Sequence, residues 1–248
     1  MKATAAPPNF TMATFMTVWK VFVRSIATRL RVAGLSLLGL GAVALGLAIH
    51  LSHSANRPNA AWSLVDSFGL SLLIPVVALV FASAALGDVA EDGTLVYLWL
   101  RPLPRWQLAL GAFGASVTVV VPVAVFPLVV GAAISGGGWR IAGGAAAGGL
   151  LATVAYSAVF CGLGLRVRRA LAWGLAYLLI WEQAVARVSH GAARASIFIN
   201  TRSLAAHVAQ HPPPTNAVAW TTGLIFPLVV TVVALALTTR SLDRGEIT

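Results

Sequence analysis

Acid–base or metal chemistry in this 248-residue chain would have to come from few side chains: seven Asp+Glu, five His and one Cys. Three of the acids, Asp88, Glu91 and Asp92, fall within five positions, a density that suits a divalent cation. A Mg²⁺-dependent lipid transferase, however, uses Asp-x2-Asp-Gly followed by Ala-Arg and a second Asp pair. Here the spacing is Asp88-x3-Asp92, with no Ala-Arg after it and no second pair. Three acids in one loop do not easily provide both metal ligands and a base. Glu182 interrupts an apolar stretch, where an ionisable residue is a functional candidate by default. It lies five positions before Arg187, near the end of its segment, so a substrate contact, a water-filled cavity and an ion pair all account for it. Asp66, close to Ser63, reads as a helix-terminus residue. His207 and His211 have metal-binding i, i+4 spacing but no Cys or carboxylate beside them, which favours an ordinary interfacial helix. Cys161 has no partner for an intramolecular disulfide, and its apolar surroundings point to packing.

The elements that must position these residues are membrane elements. Apolar residues make up 58% of the chain and Asp, Glu, Lys and Arg only 10%, against about 25% charged residues in a soluble domain. Too few charges remain to cover a soluble fold, and a solvated disordered chain is excluded by the same count. The net charge of +10 rests on fifteen arginines and two lysines. They punctuate apolar runs and form no basic-aromatic platform, so no nucleic-acid partner is expected.

A helix needs about 20 mostly apolar residues to cross the hydrocarbon. Trimming the uncharged runs gives six predicted spans, near 32–50, 67–87, 108–134, 141–165, 170–186 and 217–238, within a membrane domain over 32–248. No cleavable signal peptide is expected before them. With six spans, twelve of the seventeen Lys+Arg fall on the side of both termini. Both termini are therefore expected in the cytoplasm of a multi-pass protein of the plasma (inner) membrane. Residues 1–31 form a cytoplasmic segment in which Phe15, Trp19, Phe22, Ile26 and Leu30 recur at helical spacing, with Lys20, Arg24, Thr28 and Arg31 opposite. That pattern predicts an amphipathic helix in the interface, which Pro7 and Pro8 keep from starting earlier. The fold class is all-α. Glycines in the first and fourth spans would admit close backbone approach. Pro75, Pro122, Pro127 and Pro227 would kink their spans and free carbonyls that need new partners.

Between the second and third spans runs GDVAEDGTLVYLWLRPLPRWQLALG, from Gly87 to Gly111. Asp92-Gly93-Thr94 predicts a turn with Thr94 as a helix N-cap. A short apolar helix then carries Leu95, Tyr97, Leu98 and Trp99, and Pro102 and Pro104 end it. Such a helix on the cytoplasmic face needs a partner surface. The pattern of Glu91, Gly93, Thr94 and Leu95, then Arg101-Pro102-Leu103-Pro104-Arg105, then Leu108-Ala109-Leu110-Gly111, resembles the loop after the second span in permease subunits of ABC transporters. The nearest class is the six-span type-2 exporters. The likeness extends over the layout of the whole chain, and by motif over the loop alone; one departure is Ala112, where the family often has lysine.

The resemblance implies that this loop is a coupling helix. Leu95, Tyr97, Leu98 and Trp99 would be buried in a groove of a separate ATP-binding subunit, with Glu91, Arg101 and Arg105 beside them and Gly93 and Thr94 forming the entry turn. Two copies of that subunit, carrying ATP and Mg, would drive a dimer of permeases, either two copies of this chain or this chain and a relative. The segment from Arg187 to Thr215 would form short re-entrant helices capping the exit. The chain itself lacks a Gly-x4-Gly-Lys-Ser/Thr loop, so it is expected to be no enzyme and to carry no cofactor. A membrane-embedded enzyme, a secondary transporter and a structural protein are the competing readings. A secondary transporter would show inverted repeats and midplane ionisable residues.

Overall fold

The computed structural model describes residues 12–52, 56–91, 105–185, 190–212 and 217–244. They form helices and no strand. In chain order these are α1 (Met12–Ile26), α2 (Arg29–Leu51), α3 (57–91), α4 (Arg105–Ile134), α5 (Trp139–Arg166), α6 (170–185), α7 (His190–Ala193), α8 (Ile197–Ala209) and α9 (Trp220–Arg244). The chain is an all-α protein of membrane type. Among the described residues, five helices (α2, α3, α4, α5 and α9) are long and apolar enough to cross a bilayer.

The predicted span at 170–186 is described as far as residue 185. Residues 170–185 are helical, but as eight residues of α-helix followed by eight of π-helix. At 1.5 Å per residue the described residues cover about 24 Å, against a hydrocarbon core of ~30 Å. The second span also differs, beginning at Arg57, so Asp66 lies inside a helix and not at its terminus.

Inner and outer helices are distinct. α3 and α5 supply much of the core, including Phe81, Leu70, Ile74, Tyr156 and Phe160, all fully buried. α2 and α9 present long apolar faces outward, among them Leu37, Leu40, Val229 and Val232, as lipid-facing helices do. Glycines set the spacing where helices touch. A methyl on Gly46 of α2 would collide with the Gly131 backbone of α4, and one on Gly144 of α5 would lie 2.6 Å from the Ala205 carbonyl oxygen of α8.

Prolines act as the sequence suggests, in part through wide helical turns. Pro75 has no N–H for the Ser71 carbonyl; the Gln183 side-chain amide of α6 donates to that oxygen instead, at 2.9 Å. Pro122 lies within a π-helical stretch, Val121–Val125, inside α4. Cys161 is a buried free thiol, 3.6 Å from the Ser116 hydroxyl.

The entry helix forms as expected, over Met12–Ile26. Its apolar stripe packs against α4: Phe22 and Ile26 are buried, Val18 lies against Gly111, and the Trp19 indole N–H donates to the Thr118 hydroxyl at 3.2 Å. Helical geometry lapses at Ala27–Thr28, so Leu30 belongs to α2, where it is 86% exposed. The stripe is a protein contact first.

Candidate functional site

The loop singled out by sequence joins α3 to α4. Glu91 is the last residue of α3 and Arg105 the first of α4. Gly93, Thr94, Leu95, Tyr97, Leu98, Trp99 and Arg101 lie outside the described residues. Just ahead of the loop, Asp88 is tied to the start of α2. Arg31 donates from Nη1 to Asp88 Oδ2 at 2.7 Å and from Nη2 to Oδ1 at 3.4 Å. The two side chains remain 34% and 38% exposed. Across the same end of the bundle, Arg166 closes α5 onto α9, donating to the Ser241 hydroxyl at 2.8 Å and the Leu237 carbonyl at 3.1 Å.

The opposite end is built differently. Glu182, 1% exposed, sits where the wide turns of α6 meet the start of α8. Its Oε1 accepts from the Tyr177 hydroxyl at 2.9 Å and the Ile197 amide at 3.1 Å. Its Oε2 accepts from the Ser196 hydroxyl and from the Phe198 amide at 3.3 Å. Ser196 is also the N-cap of α8, accepting from the Ile199 amide at 3.1 Å. A carboxylate at the positive end of a helix, saturated by donors, is well solvated by the protein itself. Among the readings open for Glu182, the geometry is that of an anchor for α8.

Further contacts hold the same helix. Arg202 of α8 forks onto Asp66 of α3, with Nε–Oδ1 at 2.6 Å and Nη2 donating to Oδ2 at 2.7 Å. Gln210, left-handed at the end of α8, accepts from Arg140 of α5. His211 stacks on Trp62 at 4.8 Å between centroids, and His207 on Trp220 at 5.1 Å. Both histidines are thus ring-stacked, and no cluster of three metal-ligating side chains occurs among the described residues. Burial pushes the His211 imidazole below its ordinary value, and Asp66 opposes part of that shift.

Compared with known proteins, the chain matches no protein-family profile and no curated protein. The site therefore has to be read from its own geometry. Sequence analysis located Glu182 and Asp66 but not their partners, which lie 14 and 136 positions away. One local signal was available: Ser196 directly before Ile197-Phe198-Ile199 is an N-cap ahead of an apolar run. Arg31–Asp88, 57 positions apart, has no such signal.

Proposed function

We propose that this chain is the membrane-spanning permease subunit of an ATP-driven ABC exporter. The observation that carries the reading is the loop after the second span, with Glu91-x-Gly93-Thr94-Leu95 followed by Arg101-Pro102-x-x-Arg105. Further support comes from the layout: an amphipathic entry helix, crossing helices, and a buried helix, α8, between the fifth and last membrane segments. In this reading the permease works as a dimer and the pathway lies between its halves. ATP and Mg act on two partner subunits, whose closure tilts the spans through residues 88–106. Leu95, Tyr97, Leu98 and Trp99 are the buried anchors, and Glu91, Arg101 and Arg105 the polar rim. Few charges line the helices, which favours an amphipathic or hydrophobic cargo. Both termini are then cytoplasmic in the plasma membrane.

The test is co-expression of this chain with a candidate ATP-binding subunit, followed by co-purification. Wild type is expected to retain that subunit, and the Leu98→Asp, Trp99→Asp double variant to lose it. Retention by the double variant would sink the coupling-helix assignment.

A further inference from the structure

Hydroxyl groups inside the membrane segments mostly satisfy themselves. Ser83, Ser116, Thr118, Thr231, Thr238 and Thr239 each donate to the backbone carbonyl four residues earlier, at 2.6–2.9 Å. Thr153 and Ser157 of α5 do not. Both are fully buried, and neither hydroxyl has a hydrogen-bond partner in the protein. One such group in an apolar interior is costly, and two on a single turn call for a partner.

The two residues belong to one row. Gly149, Thr153, Ser157 and Cys161 are spaced four apart and so share a face of α5. The ends of the row fix what that face meets. A methyl on Gly149 would lie 3.3 Å from Val125 of α4 and 3.2 Å from Ile74 of α3. The Cys161 sulfur is 3.6 Å from the Ser116 hydroxyl of α4. Thr153 and Ser157, between these ends, therefore face α4 over Ser116–Val125, with α3 alongside. That part of α4 holds the π-helical stretch Val121–Val125, on which α5 packs directly. It also holds Pro122, which contributes no N–H. Wide turns and prolines are the places where water enters a helical ladder.

Spacing selects the ligand. Side chains four apart on a helix have Cβ atoms about 5–6 Å apart, too far for one hydroxyl to bond the other. The same gap suits a single oxygen making two O–H···O bonds of about 2.8 Å. A cation is disfavoured, because the two acids inside the membrane segments are engaged elsewhere: Glu182 by four donors and Asp66 by Arg202. We infer that one buried water bridges the Thr153 and Ser157 hydroxyls and makes a third bond to the α4 backbone at its wide turn. Buried waters typically make about three such bonds. The inference needs only the packing of α4 on α5; it does not depend on transport.

The test is the unfolding midpoint of the full chain in detergent for Thr153→Val, Ser157→Ala and the double variant. Were the hydroxyls merely unpaired, the isosteric Thr153→Val would remove a costly group and raise the midpoint. With the water in place it strips that water of a partner, and each single change is expected to lower the midpoint by about 2–4 °C. Both changes lose the same water, so the double variant should fall no further than the larger single loss. Ser157→Ala carries the same test of sign independently of Thr153. An unchanged or higher midpoint in the single variants, or losses that add, overturns the assignment. So does a wild-type midpoint that rises with Na⁺ over choline at equal ionic strength and no longer does so in Thr153→Val, which would make the occupant a cation.

Discussion

The two ends of this bundle use scarce charge in opposite ways. At the α8 end, Glu182 is 1% exposed and the Asp66–Arg202 side chains only 12% and 22%. At the arginine-rich end, Arg31 and Asp88 keep a third or more of their side-chain surface open. A buried carboxylate must be surrounded by donors or it is costly, so the α8 end is a closed network that fixes one helix in one place. A half-exposed pair is weak and screened by salt. The arginine-rich end can therefore change partners cheaply, and it is the end from which residues 92–104 emerge.

Deleting the centre of the closed network should have the largest effect. Glu182→Ala strands the Tyr177 and Ser196 hydroxyls and the Ile197 and Phe198 amides. A loss of about 3 kcal/mol or more is expected, read as a lower unfolding midpoint in detergent and faster proteolysis within α8. Glu182→Gln keeps one acceptor and should lose about half as much. An unchanged midpoint for both would show that the carboxylate does not anchor α8.

Next in size is packing. Gly144→Val would drive a side chain into the Ala205 carbonyl and should cost about 2–3 kcal/mol. The same change at Gly34, which faces open space, should be nearly silent. Comparable midpoints for the two would remove the case for α5–α8 contact.

Two double-mutant cycles sharpen the contrast directly. Asp66→Asn with Arg202→Met should give a coupling of about 2 kcal/mol. Arg31→Met with Asp88→Asn should give less than about 1 kcal/mol, falling further at high salt. Equal couplings would erase the difference between the ends.

Sequence revealed the parts of this arrangement that depend on runs and counts. The membrane segments follow from uncharged stretches, because hydrocarbon admits little else, and their limits fall near those of α2, α4 and α5. Less legible was anything set by contact between distant segments. α6 reads as a span by composition, but no local pattern encodes its change from α-helix to π-helix at Leu178. The α1 stripe was visible, but periodicity cannot say whether an apolar face meets lipid or protein; here it meets α4. Glu182 stood out as an acid in an apolar run. Its role depended on where the N-terminus of α8 came to rest, which tertiary packing decides.

The smallest expected effect is a dependence on pH at the α8 end. His211 stacks on Trp62, and burial lowers its pKa from the ordinary 6.5 while Asp66 partly restores it. The folded protein therefore favours neutral imidazole more than the unfolded chain does. That contribution is complete above about pH 6.5 and is lost as pH falls below it toward the folded value, where protonation favours unfolding. Because Asp66 opposes the shift, the unfolding midpoint should fall by only about 1–2 °C. His211→Phe keeps the stack and removes the proton, so it should flatten the profile over this range. Glu182 variants, which leave His211 in place, should lower the midpoint without removing that slope. If His211→Phe retains it, the titrating group lies elsewhere in the network that holds α8.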